Sequence, residues 1–99
     1  MKIKKFTLDR DTIENFAVTH DLTMQVHERS RNSGPNKFYA YFESAETKDG
    51  CILCGDFGNG HDEQEAIQNY AKEISGKLLV IDAYSEERRR EIRVPILEG

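Results

Sequence analysis

Two cysteines and a histidine are the residues of this chain whose spacing could do chemistry. Cys51 and Cys54 stand in a Cys-x-x-Cys arrangement, and His61 follows them. Thiolates at this spacing can hold zinc or form a redox disulfide, but a structural zinc site needs four ligands and no fourth is evident. The segment also has the character of a strand, in which side chains three apart point to opposite faces. We therefore expect no metal or redox site, with one cysteine buried as a small apolar residue and the other without a role.

Other catalytic combinations find little support in the sequence. No serine or cysteine is evidently placed for activation by His20, His27 or His61. The glycine-rich stretch GDFGNG, residues 55–60, leads toward a helix but lacks the Lys and Ser/Thr of a phosphate-binding Walker loop. We expect a protein that is not an enzyme and uses no cofactor.

Length and charge limit the class of protein further. The chain has 99 residues, which predicts a single domain over 1–99. Its 14 basic and 18 acidic residues give a net charge of −4, so the chain as a whole lacks the basic surface typical of duplex-binding proteins. It has no apolar run long enough for a secretory signal or a membrane span. We expect a cytoplasmic protein with reduced thiols and no membrane partner.

Hydrophobic periodicity predicts the elements that position these residues. A helix over 10–20 would be capped by Asp9 or Asp11, and a second helix would run from its N-cap Asp62 to Gly76. The predicted strands cover 22–29, 38–46, 51–55, 77–84 and 90–97, the last an edge strand containing Pro95. This order predicts an α+β fold, an antiparallel sheet with two helices on one face.

The order helix, three strands, helix over about 10–75 resembles the double-stranded RNA-binding domain, with a C-terminal strand pair at about 77–97. Thr12–Phe16 is similar to that family's first-helix start, where Glu14 would hold the position of a glutamate that reaches the RNA minor groove. Ser33–Lys37 resembles its Gly-Pro loop, and Gly58–Gly60 followed by Glu63–Ile67 resembles its glycine turn and second-helix start. A weaker resemblance is to HicB-type antitoxins. The first resemblance implies an αβββα core, and the second implies a partial version of the same fold.

The second-helix start departs from the RNA-binding pattern. The family's lysines there bridge phosphates, whereas this chain has Glu63, Gln64 and Ile67. Residues 43–73 hold eight acids and two lysines, a surface that would repel a phosphate backbone. Nucleic acid is therefore not the expected partner.

Protein is the expected partner, and two surfaces could bind it. The first is an acidic face that could mimic nucleic acid and dock into a basic groove, as small phage-encoded inhibitors of bacterial defence nucleases do; it comprises Asp56, Asp62, Glu63 and Glu65. Acids at a helix start are also favoured by the helix dipole alone. The second is an aromatic strand face with Tyr39 and Tyr41, which alternate with Phe38 and Phe42.

The basic residues suggest an alternative function. Lys2–Phe6 is a short β-prone stretch, and if it neighbours the C-terminal strand, a patch for nucleic acid could combine Arg88, Arg89, Arg90 and Arg93 with Lys2, Lys4 and Lys5. The edge strand near Val94–Leu97 could instead pair with a second copy of the chain in a homodimer. The sequence thus predicts a protein-binding module, with a nucleic-acid-binding domain as the alternative.

Overall fold

The computed structural model describes residues 11–30 and 36–98, with the side chain of Glu98 excepted. The Gly34-Pro35 loop and the three lysines of the proposed basic patch, Lys2, Lys4 and Lys5, lie outside the described residues.

The described residues form short elements in the order expected for an α+β fold. The helices are α1 (Ile13–Thr19) and α2 (Glu63–Ile74). The strands are β1 (Asp11–Thr12), β2 (Met24–Glu28), β3 (Phe38–Phe42), β4 (Ala45–Asp49), β5 (Ile52–Cys54), β6 (Gly58–Gly60), β7 (Leu78–Ile81), β8 (Arg90–Arg93) and β9 (Leu97–Glu98). Two antiparallel sheets, in the orders β2-β3-β6 and β5-β4-β7-β8, are accompanied by a parallel pairing of β1 with β9. The predicted α+β class is confirmed.

One strand predicted over 38–46 is divided between the two sheets. β3 ends at Phe42, and β4 begins at Ala45 after Ser44 takes a left-handed backbone conformation with φ of 60°. The carbonyl of Ser44 accepts a hydrogen bond from the amide of Asp82, which follows β7. The strands β3 and β6 therefore belong to the three-stranded sheet, whereas β4 and β5, which lie between them in the chain, belong to the four-stranded sheet.

Helix α1 begins later than predicted. Thr12 is its N-cap, and the Thr12 hydroxyl accepts a hydrogen bond from the amide of Asn15 at 3.2 Å. Asp11 lies in β1 instead, and Asp9 is outside the described residues. Ile13 and Phe16 are buried and anchor the helix on the sheet.

Helix α2 has the limits that its sequence predicts. The Asp62 carboxylate caps it by accepting from the amide of Glu65 at 2.7 Å, and Gly76, with φ of 77°, follows its last turn. Tyr70 packs edge-on against Phe42, which also contacts Phe16 of α1. Both helices therefore lie on one face of the β2-β3-β6 sheet.

The buried cluster joins both sheets and comprises Ile13, Phe16, Phe42, Tyr70, Ala71, Ile74, Leu79, Ile81, Val94 and Leu97.

The glycine-rich stretch before α2 contains a strand, not only the turn that was predicted. Gly58 and Gly60 of β6 face the helix so closely that a Cβ on Gly58 would lie 2.7 Å from the Cα of Tyr70. A Cβ on Gly60 would lie 2.7 Å from the carbonyl carbon of Glu65. The glycines thus permit a helix to lie directly on a strand backbone. Asn59, between them, points to the other face of the sheet.

Within the segment Val94–Leu97, where the sequence predicts an edge strand that could pair with a second copy, only Leu97 belongs to a strand, and two of the side chains are buried. Val94 is 1% exposed and Leu97 is 5% exposed. The backbone of Val94 exchanges hydrogen bonds with Lys77 and Gly76, and Leu97 pairs with Asp11. The edge strands of the four-stranded sheet are β5 and β8, and β8 is the one that falls within the edge strand predicted over 90–97.

Candidate binding face

The face of the β2-β3-β6 sheet opposite the helices, called here the open face, carries aromatic side chains. Ala40 and Phe42 point into the core, so Tyr39 and Tyr41 point away from it. His27 is paired with Tyr39, which is paired in turn with Asn59 on β6, so these three share the open face. The predicted alternation of Tyr39 and Tyr41 against Phe38 and Phe42 is confirmed.

Four rings form an aromatic cluster on this face, namely His27, Tyr39, Tyr41 and Phe57. The His27 ring is nearly parallel to those of Tyr39 and Tyr41, with centroids 4.9 Å and 5.5 Å away. Phe57, which is 49% exposed, meets Tyr39 edge-on at 6.2 Å. Cross-strand aromatic pairs of this kind stabilise a sheet, and they also form a rigid, largely apolar surface.

A hydrogen bond between side chains fixes part of the cluster. His27 Nε2 lies 3.1 Å from the hydroxyl oxygen of Tyr41, and which of the two donates depends on the histidine tautomer. The bond satisfies a polar atom on each ring. The rings therefore keep their orientation while their apolar surfaces remain partly exposed to solvent.

Arg29 adds a positioned positive charge next to the cluster. Its guanidinium carbon lies 4.7 Å from the centroid of the Tyr39 ring, a cation–π contact. Its Nη2 donates to Asn59 Oδ1 at 2.6 Å, and its Nε donates to the carbonyl of Asn36 at 2.8 Å. The backbone carbonyl of Asn59 accepts in turn from the side-chain amide of Asn69 on α2. The guanidinium is thus held by β6, which is itself hydrogen-bonded to α2.

Both described acceptors of the Arg29 guanidinium are uncharged. No acidic side chain within residues 11–30 and 36–98 forms an ion pair with Arg29. Residues 31–35, which follow it closely in the chain, contain no Asp or Glu. The positive charge of Arg29 is therefore fixed in place without a described counter-charge.

A cleft opens between Arg29 and the aromatic rings, called here the Arg29 cleft. Its volume is about 460 Å³, and it is lined by Arg29, Tyr39, Tyr41, Ala45, Gly55, Asp56 and Phe57. Sites for small ligands typically measure about 300–1,000 Å³ and have mostly apolar walls. A second cleft of about 380 Å³ adjoins it, shares Tyr41 and Ala45 with it, and reaches the exposed Tyr84.

The acid in the Arg29 cleft has its charge compensated. The Asp56 carboxylate accepts from the hydroxyl of Thr47 and lies 3.4 Å from the ammonium of Lys77. Burial by itself would lower the pKa of Lys77, but its contacts with Glu73 and Asp56 outweigh this effect and raise the pKa above its ordinary value. One end of the cleft is therefore positive at Arg29, and the acid at the other end, Asp56, already has a cationic partner in Lys77.

The four acids predicted to form one acidic face are separated by the structure. Asp62 caps α2, and Glu65 contacts His61, whose backbone amide donates to the Glu65 carboxylate. Glu63 is exposed at the same end. Asp56 pairs with Lys77 beyond the other end of the helix, and a helix of 12 residues is about 18 Å long. Three of the acids share one helix end, and the prediction of a continuous face that includes Asp56 is wrong.

The described arginines do not form one patch either. Arg90 is paired with Ile81 and Arg93 with Leu78, so the two arginines lie on opposite faces of β8. Arg90 donates to the backbone carbonyl of His20 at 2.9 Å. Arg89 lies 3.4 Å from the carboxylate of Glu91, and Arg88 is exposed in the preceding turn. Within the described residues the structure thus separates Arg90 from Arg93, and the three lysines of the predicted basic patch lie outside those residues.

Both cysteines are free and exposed, so the prediction that one of them is buried is wrong. Cys51 and Gly50 form the two-residue turn between β4 and β5, and Cys54 ends β5. Within the described part of the chain, no three His, Cys, Asp or Glu side chains gather into a metal site. Among residues 11–30 and 36–98, no helix combines the length and apolar character needed to cross a membrane.

Comparisons of the chain with protein-family models, with curated proteins and with solved structures find no match. Function must therefore be inferred from the geometry of the chain itself.

Tyr39 and Tyr41 were predicted site residues, and the structure brings them together with His27, Arg29 and Phe57. Sequence reasoning missed these last three as members of the site, although His27 and Arg29 are two residues apart in the strand predicted over 22–29, a spacing that places them on one face.

Proposed function

We propose that this chain is a non-enzymatic binding module that recognises a protein partner through the open face of its three-stranded sheet. The observation that carries the proposal is the aromatic cluster with Arg29 beside it, on the sheet face that the helices leave uncovered. Tyr and Arg are among the residues that contribute most binding energy at protein interfaces. Rings that are already oriented lose little conformational entropy when a partner binds.

The charges favour protein over nucleic acid as the partner. Aromatic rings with an arginine can also stack bases, but affinity for a phosphate backbone requires several cations along its path. Among the described residues, Arg29 is the only cation that lines the Arg29 cleft, and the arginines of β8 are divided between two faces. The net charge of −4 acts in the same direction.

The order of elements supports a related proposal about the fold. Apart from the β4–β5 pair that lies between β3 and β6 in the chain, the succession is α1, β2, β3, β6, α2, with an antiparallel sheet and both helices on one face, as a double-stranded RNA-binding-like core would have. We propose such a core, without the lysines that bind RNA. The interaction would then use the sheet rather than the second-helix start.

A pull-down from lysate of the source cell, with and without nuclease, tests this function. The bait is the full chain, and bound proteins are identified by mass spectrometry. A Tyr39→Ser, Tyr41→Ser variant should capture at least about tenfold less of the partner, because each truncated interface ring typically costs 1 kcal/mol or more. Val18→Ser is the matched control, since Val18 is an apolar residue of α1 that is 82% exposed.

Two results would contradict the proposal. The first is capture by the tyrosine variant equal to that of the wild type, with both proteins folded by circular dichroism. The second is loss of every captured protein on nuclease treatment, which would favour nucleic-acid binding. A Glu63→Lys, Glu65→Lys bait in the same experiment tests docking by the acidic helix start, the mode expected of a phage-encoded inhibitor.

A further inference from the structure

The Arg29 cleft combines two features that call for different groups on one ligand. Its walls include Tyr39, Tyr41 and Phe57, which suit a flat apolar group. Its rim carries the Arg29 guanidinium, whose plane is fixed by hydrogen bonds to Asn36 and Asn59. A ligand that fills the cleft therefore meets an aromatic surface and a positive charge within one site.

The distribution of charge in the Arg29 cleft favours a ligand with an anionic group. Arg29 has no acidic partner among the described residues, whereas the other charged residue of the lining, Asp56, already contacts Lys77 and the hydroxyl of Thr47. An anionic group near Arg29 would gain a charge-assisted hydrogen bond, and guanidinium matches carboxylate in geometry. A cation there would be repelled by Arg29 and would find Asp56 already paired.

We propose that the Arg29 cleft receives an aromatic side chain of the partner protein together with an adjacent carboxylate, the carboxylate bound by Arg29 and the ring packed against Tyr41 and Phe57. This inference rests on the proposed function and names the chemistry that the open face recognises. The occupant is an acidic, aromatic segment of another protein. We expect the aromatic ring of this segment to lie between the walls of the cleft. Its carboxylate is expected beside the Arg29 guanidinium, which Asn59 holds in place.

The test uses two small probes that differ only at the anionic group, N-acetyl-phenylalanine with a free carboxylate and N-acetyl-phenylalanine amide. Each is titrated into the 15N-labelled full chain and followed by NMR. A ligand of this size binding at ordinary efficiency has a Kd on the order of 1 mM, within reach of the method. We expect the carboxylate probe to bind at least about fivefold more tightly than the amide and to shift amides around Arg29, Tyr41 and Phe57.

Variants then assign the preference to Arg29. In Arg29→Gln the carboxylate probe should bind no better than the amide, while Arg93→Gln, which removes the same charge from β8, should keep the wild-type preference. Equal binding of the two probes to the wild type would overturn the inference, as would shifts confined to another surface or a preference that survives in Arg29→Gln. The comparison of the two probes on the wild type is decisive even if Arg29→Gln fails to fold.

Failure of this inference is distinguishable from failure of the proposed function. If the tyrosine variant loses its captured partner but the two probes bind equally, the open face is a protein-binding surface and the ligand chemistry inferred for the Arg29 cleft is wrong. If the tyrosine variant captures its partner as the wild type does, the proposed function itself is wrong.

Discussion

At the scale of single residues, the candidate site depends on side chains whose partners are distant in the chain. The tyrosines of β3 could be assigned to one face from their alternation alone. Arg29 could not be assigned to the cleft, because its hydrogen bond to Asn59 joins the residue after β2 to β6, and the sequence does not show that these are near each other. Phe57 was hidden for a similar reason, since it lies in a stretch whose glycines indicate a turn. Spacing thus predicted the face, and only the tertiary structure identified the cleft.

Tyr70 provides a residue-scale prediction about pH. Burial raises the pKa of this phenol to about 12 from its ordinary 10.0. Between these values the unfolded chain loses the proton and the folded chain keeps it, so the free energy of unfolding should fall as pH rises above 10. The loss should total about 2–3 kcal/mol by pH 12, from about 1.4 kcal/mol per unit. Lys77, whose pKa is also raised, acts in the same direction.

Urea unfolding at pH 8, 10, 11 and 12 measures this effect. Tyr70→Phe should have a shallower decline above pH 10, because it has no buried phenol to ionise. Tyr84→Phe is the control, since Tyr84 is 89% exposed and should leave the pH dependence unchanged. Identical declines in all three proteins would mean that Tyr70 does not determine the alkaline sensitivity.

At the scale of elements, prediction succeeded where the signals are local. Helix α2 could be delimited because its cap Asp62, its apolar stripe and its terminator Gly76 are all within the element. The division between β3 and β4 could not be predicted, because the left-handed residue there is Ser44 rather than glycine. Strand β6 was missed since glycine usually marks a turn, and here it marks the close approach of a helix.

The glycines of β6 therefore make an element-scale prediction. Gly58→Ala should lower the free energy of unfolding by at least about 3 kcal/mol, because the new methyl group would overlap the backbone of α2, which cannot shift as a flexible side chain would. Gly55→Ala is the matched control, since a Cβ there meets nothing within 4 Å, and we expect a change within about 0.5 kcal/mol. Urea unfolding at neutral pH measures both. Similar small effects for the two variants would show that β6 and α2 are not packed through their backbones.

At the scale of the whole molecule, the buried cluster connects the two sheets. Phe42 comes from the three-stranded sheet, Leu79 from the four-stranded sheet, and Tyr70 from the helix they share. The C-terminal strands therefore contribute to the core and are not an addition to a self-sufficient αβββα unit. This connection predicts that the open face is only as stable as the molecule as a whole.

Hydrogen exchange of a Leu79→Ala variant tests that coupling. Leu79 is fully buried, and truncating a buried leucine costs about 2–5 kcal/mol. If the cluster unfolds as one unit, the loss of protection should be equal at the slowest amides of β3, next to the candidate site, and of β7, where the substitution lies. Ile52→Ala, at a β5 position that is 66% exposed, should leave both strands protected. Loss of protection in β7 with β3 unchanged would mean that the two sheets open independently, and the open face would then owe its rigidity to α2 and β6 alone.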